Sequence, residues 1–118
     1  MRDPPTIDSF GGGGFRVSGV WRPGSLLLLD DVASDWRPTT LADVTPEDFA
    51  EVVRGGVAVS EFVLLGTGAT QALPDRSIRD AIRGVGLGLE FMSTPAAART
   101  YGVLASQGRR FAVALIAV

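Results

Sequence analysis

The chain has 118 residues, a formal net charge of −2, 46% hydrophobic and 20% charged side chains. That balance predicts a single globular domain over residues 1–118, and it offers no basic footprint for nucleic acid. Cys and His are absent and all eleven cationic side chains are Arg, so disulfides, imidazole or thiolate ligands, Ser-His relays, Schiff bases and a phosphate-loop lysine are excluded.

In chain order, Ile7–Phe10 is a short apolar piece before four glycines, Gly11 to Gly14, which read as a hairpin loop or bulge because no helix follows. Residues 15–21 and 25–31 read as strands separated by the turn signal Arg22-Pro23-Gly24. Trp21 and Trp36 are expected in the core or packed on a sheet. The first helix starts at Thr45 as N-cap with Pro46 next and Asp48 closing a capping box. It buries Phe49, Val52 and Val53 and ends at Gly55-Gly56.

From residue 61 the pattern becomes strand–helix–strand–helix–strand: strands over 61–65, 86–92 and 110–117, helices over about 76–83 and 95–106. Ile78, Ala81, Ile82 and Val85 give the first of these helices its buried stripe. Thr94 is read as N-cap of the second, ahead of Pro95. Such alternation predicts parallel pairing of 61–65 with 86–92 through right-handed crossovers. The fold class is therefore α/β, with N-terminal strands followed by β-α-β-α-β.

The stretch Gly66-Thr67-Gly68 follows a strand and precedes a helix, as a nucleotide loop does. Gln71 stands where the dinucleotide fingerprint needs its third glycine, and Pro74 separates loop from helix, so a dinucleotide cradle is not expected. A weaker site remains. The loop at 66–68 and the loop at 92–95 would converge at the C-terminal edge of the sheet, where α/β proteins bind ligands. Gly66, Thr67, Gly68, Met92, Thr94, Arg99 and Thr100 thus form a candidate binding crevice for a small anion or carboxylate, against the plainer reading of capping threonines and a surface arginine. No catalytic residue, metal or cofactor is expected.

Glu90, inside an apolar strand, is expected to pair with an arginine or to point outward from an edge, pairing being the favoured outcome. Gly102 in mid-helix costs ~1 kcal/mol relative to Ala and is expected to mark a close approach of backbone or ring. The N-terminus has no signal-peptide core, and no apolar run nears the ~20 residues of a membrane span, so the expected location is the cytoplasm.

Several stretches, "FGGGGFRVSG", "PGSLLLLDD", "FVLLGTG" and "GLGLEFMSTPAAARTYGVLASQGRRFAVALI", resemble in order and spacing the domain of unknown function 498 family over residues 7–117. The resemblance implies a three-layer β/β/α fold with a mixed sheet. The family includes a mitochondrial assembly factor of respiratory complex I that is not an enzyme by any established reaction. It implies, here, a non-enzymatic binding or assembly protein whose partner is a protein, such as a respiratory-complex or membrane-protein assembly intermediate. The competing expectation is a small-molecule or anion-binding domain, or an enzyme of unassigned reaction, using the Gly-Thr-Gly crevice. Gly102 and Gln107 depart from the Asn and the acidic residue usual in the family, which weakens any function needing those side chains.

Overall fold

A computed structural model describes residues 3–118 of the chain. Three antiparallel strands, β1 (Ile7–Gly11), β2 (Gly14–Val17) and β3 (Val20–Pro23), form a small sheet in the order β1-β2-β3. A second, five-stranded sheet has the order β5-β4-β8-β6-β7, built from β4 (Ser25–Leu29), β5 (Val32–Trp36), β6 (Phe62–Gly66), β7 (Gly88–Met92) and β8 (Ala112–Leu115). It is mixed: β6 runs parallel to both β7 and β8, while β4 runs antiparallel to β5 and β8.

Tight hairpins split the first third of the chain more finely than the apolar pattern implies. Ser18-Gly19 and Asp30-Asp31 both have positive φ at the two central positions, as the turns that match strand twist require. The single strand expected at 15–21 is therefore two strands, and β5 follows the Asp30-Asp31 turn unannounced by any apolar alternation. Gly12-Gly13 makes the turn between β1 and β2, as the glycine run implies.

Three helices cover the faces: α1 (Ala50–Val59), α2 (Arg76–Arg83) and α3 (Thr94–Ser106). A 3-10 turn over Pro46–Phe49 leads into α1, and the Asp48 carboxylate accepts the Thr45 backbone N–H at 2.8 Å, as a capping box requires. The backbone of α1 breaks at Gly56 (φ 54°), so the expected stop at Gly55-Gly56 appears as a kink before a last turn. Asp75 caps α2, its side chain accepting the Ser77 N–H.

Alternation along the central strands sends side chains to two separate cores. Val63 and Leu65 of β6, Leu27 of β4 and Ala112 and Ala114 of β8 meet Phe49, Val52, Ile78 and Ile82 beneath α1 and α2. Leu64, Leu26, Leu28, Val113 and Leu115 meet Phe15, Ala97 and Tyr101 beneath the small sheet and α3. Both faces are covered, which is why these strands read as unbroken apolar runs. Each such Leu or Val contributes roughly 1.5–3 kcal/mol by burial.

The layers are thus the small sheet with α3, the central sheet, and α1 with α2, in agreement with the three-layer expectation. Topology explains why the helices divide. The step from β6 to β7 moves outward and the step from β7 to β8 moves back past β6, so crossovers of one hand must lie on opposite faces.

The tryptophans take the two expected places: Trp36 is buried, donating from Nε1 to the Asp48 carbonyl at 3.0 Å and packing edge-on to Phe49, and Trp21, 43% exposed on β3, packs over Gly14 of the neighbouring strand. Val85 and Gly102 differ from expectation: Val85 lies past the end of α2 and is 38% exposed, so it does not extend the buried stripe of Ile78 and Ile82. Gly102 is exposed, and apart from its chain neighbours and its own helix backbone no atom lies within 4 Å of where a Cβ would stand, so no close approach explains it.

Candidate functional site: a closed loop junction and an open groove

Strands β6 and β7 are in register, Gly66 opposite Met92, so the loops that follow them leave the sheet side by side. The two loops meet and bond directly. Thr67 N–H donates to the Met92 carbonyl at 2.8 Å, and Thr94 N–H to the Gly68 carbonyl at 2.7 Å. The Thr94 hydroxyl accepts from Gly68 N–H at 3.0 Å and donates to the Ile116 carbonyl at 2.7 Å, tying β6, α3 and the end of β8 together. The Thr67 hydroxyl lies 2.7 Å from the Thr70 carbonyl and accepts from Ala72 N–H at 3.2 Å.

Gly66, Thr67, Gly68 and Thr94 are all buried, and Thr94 is 0% exposed. A Cβ on Gly66 would stand 2.8 Å from the Leu115 side chain and 3.0 Å from Thr94 Cα, so glycine is needed there for close packing. The helix cap also differs from expectation. Ser93, not Thr94, is the N-cap of α3, and its side chain accepts from Ala96 N–H at 3.3 Å. The first N–H groups of α3 are therefore engaged: Thr94 by Gly68, Ala96 by the Ser93 side chain, Ala97 by the Ser93 carbonyl at 2.9 Å.

The remaining predicted residues part company. Arg99 is exposed on the side of α3 that faces β1, its guanidinium 6.0 Å from the centre of the Phe10 ring. Met92 and Thr100 face the other way, joined by a contact of 3.4 Å between the Thr100 hydroxyl and the Met92 sulfur. There they line a groove of about 300 Å³ between α3 and the β6–β7 edge. Its apolar lining is Phe62, Leu64, Met92 and Leu104, and Glu90 and Arg109 stand at its rim.

Arg109 is held in place, its Nε 3.4 Å from a Glu61 oxygen and its guanidinium 5.2 Å above the Phe62 ring, which stacks on Phe111. Glu90 is exposed on the edge strand. The expected Glu90–arginine pair does not form among the described residues; the outward alternative holds.

Phe62, Leu104 and Arg109 are groove residues that pattern reading misses. The apolar spacing of Phe62 and Leu104 is the same as that of core residues, and only the position of β7 at the edge of the sheet leaves them uncovered; Arg109 reads in sequence as an ordinary surface cation. The main shifts in ionisation lie elsewhere. The Asp48 carboxyl is held below its ordinary value, first by its hydrogen bonds from Arg37, at 2.7 and 2.8 Å, against the opposing effect of burial. Among the described residues no group of three or more acidic side chains gathers into a metal-ligand set, and no helix is long and apolar enough to cross a membrane.

Fold and site together define a small three-layer α/β module with a saturated loop junction and, beside it, an apolar groove at a sheet edge. The chain belongs to the family described as protein of unknown function DUF498/DUF598, whose model matches residues 7–116. It is 34% identical over 110 residues to an uncharacterized protein of Rhodobacter capsulatus, covering 93% of this chain and 82% of that one. It is 30% identical over 110 residues to NADH dehydrogenase (ubiquinone) 1 alpha subcomplex assembly factor 3 of Rattus norvegicus. The match takes in 93% of this chain but spans only 59% of the rat protein's length. Among solved structures, an outer membrane protein from Bartonella henselae superposes with a TM-score of 0.89 at 31% identity, covering 98% of this chain and 96% of that one. The resemblance read from the Gly-Thr-Gly loop and the Met92–Tyr101 segment is borne out.

Proposed function

We propose that the chain is a non-enzymatic protein-binding module of assembly-factor type that holds a partner polypeptide in the groove between α3 and β7. The observation that carries this reading is the groove itself: Phe62, Met92 and Leu104 gather beside a sheet edge with no strand covering it among the described residues. Apolar surface at an unpaired edge is a feature proteins normally hide, and here it lies next to a ready binding face. The similarity to a complex I assembly factor supports a protein partner and, as the narrower form of the proposal, one from a respiratory-complex or membrane-protein assembly intermediate.

Of the residues singled out in sequence, Met92 and Thr100 belong to this groove. Gly66, Thr67, Gly68 and Thr94 act as the clamp that fixes β6, β7 and α3 relative to one another. The alternative of an anion at the Gly-Thr-Gly loop has less support, because the donors that would meet it are already bonded.

Crosslinked capture of the tagged chain from its native cells, with partners identified by mass spectrometry, tests the proposal. A discrete set of assembly intermediates or respiratory-complex subunits, lost with a folded Leu104→Glu chain, is expected. Capture of nothing over a tagged control, or of the same set by Leu104→Glu, contradicts it.

A further inference from the structure

The hydrogen-bond pattern of β7 specifies how a partner would engage. Gly88 N–H donates inward to the Glu61 carbonyl at 3.4 Å, and the Met92 carbonyl accepts inward from Thr67 N–H at 2.8 Å. Backbone groups alternate along a strand, so residues 88, 90 and 92 bond toward β6, while Leu89 and Phe91 turn their N–H and C=O outward. No strand pairs with that outer side among the described residues. Side chains alternate the other way about: Leu89 and Phe91 join the core under α2, and Met92 packs toward α3, the side on which Glu90 rims the groove.

We propose that β7 is a docking edge that takes an extended segment of the partner as an additional strand, with a basic residue of that segment set against Glu90 and an apolar one against Met92 and Leu104. This rests on the protein-binding reading above and adds its mode. Charge selects the occupant. Glu90 has no ion pair among the described residues, whereas Arg109 at the opposite rim is already bonded to Glu61. The uncommitted charge of the groove is thus negative.

A second copy of the chain fits poorly. The antiparallel register that uses Leu89 and Phe91 of both copies places the two Glu90 carboxylates directly opposite each other, and like charges in that position are destabilising. A partner strand with Lys or Arg there turns the same position into a favourable cross-strand pair, while main-chain bonds supply the affinity.

The test uses a displayed library of random ten-residue peptides selected on the intact chain. Selected peptides are expected to alternate apolar residues with a Lys or Arg. Binding is expected to be lost when N-methyl groups block the alternate peptide amides that face β7, and kept when they block the other set. Glu90→Lys is expected to weaken these peptides about tenfold, and Glu90→Gln by less.

Peptides without a basic residue, indifference to the methylation pattern, or failure to select any binder would each overturn strand addition at β7. So would concentration-dependent self-association in sedimentation that displaces the peptides. The cellular capture experiment separates the two levels. If the wild-type chain and Glu90→Lys retrieve the same partner equally, docking on β7 fails while the protein-binding reading stands. If the wild-type chain retrieves none, that reading itself fails.

Discussion

The loop junction at Gly66–Gly68 and the groove beside it are made by the same three elements, β6, β7 and α3, yet they differ in what they leave unmet. In the junction the polar groups that look available in sequence are bonded to one another across the loops: Thr94 alone bridges Gly68 and Ile116. In the groove, apolar side chains that resemble core residues remain partly uncovered, and beside them a strand turns its Leu89 and Phe91 amides outward. The difference teaches that buried polar groups which satisfy each other build rigidity, whereas an incompletely covered apolar edge leaves binding energy to be used. The junction acts as a fixed frame, and the groove is what the frame presents.

The sharpest way to break this comparison is Thr94→Val. It keeps the shape but strips hydrogen-bond partners from the buried Gly68 N–H and the Ile116 carbonyl, so it should cost about 2–4 kcal/mol in chemical denaturation. A cost near zero would mean that the junction is not saturated as described. Gly102→Ala probes the opposite situation on the same helix. With open space where the Cβ would stand, it should stabilise the fold by roughly 0.5–1 kcal/mol, read as a raised midpoint of thermal unfolding.

A second saturated cluster, Arg37–Asp48–Thr45, extends the comparison to pH. The folded Asp48 carboxyl titrates below its unfolded value, so the unfolded chain binds more protons through that range, and stability rises with pH there. The contribution is complete above the ordinary carboxylate value of about 3.9 and is lost as pH falls through it toward the depressed folded value. Asp48→Asn should therefore unfold with a shallower loss of stability on that acid limb. Arg99→Glu should do least, changing stability by no more than about 0.5 kcal/mol and leaving peptide binding in the groove intact, since Arg99 lies on the β1 side of α3. A loss of binding in that variant would move the partner surface across the helix.

Legibility in sequence divides along the same line. The second half of the chain was readable because periodicity and punctuation agree: Gly84 closes α2 and Pro95 sits in the first turn of α3, and the strand and helix ranges fall within a few residues of the structure. The N-terminal hairpins were less so, because Ser18-Gly19 and the two aspartates at 30–31 adopt turn conformations that their residue types permit without announcing. The family and its layers were legible from the Gly-Thr-Gly and Met92–Tyr101 stretches. Site chemistry was the hardest. Whether Thr94 binds a ligand or a neighbouring loop depends on which carbonyl lies 2.7 Å away, and whether Leu104 is core or groove depends on β7 being an edge. Both are facts of tertiary arrangement that local pattern does not encode.

Native-state hydrogen exchange, read amide by amide, tests the central contrast most directly. The account predicts that Gly68 and Thr94 exchange only when the whole domain unfolds, while Leu89 and Phe91 exchange orders of magnitude faster and become protected when a bound peptide adds to β7. Fast exchange at Gly68 and Thr94, or protection of Leu89 and Phe91 in the free chain, would contradict it.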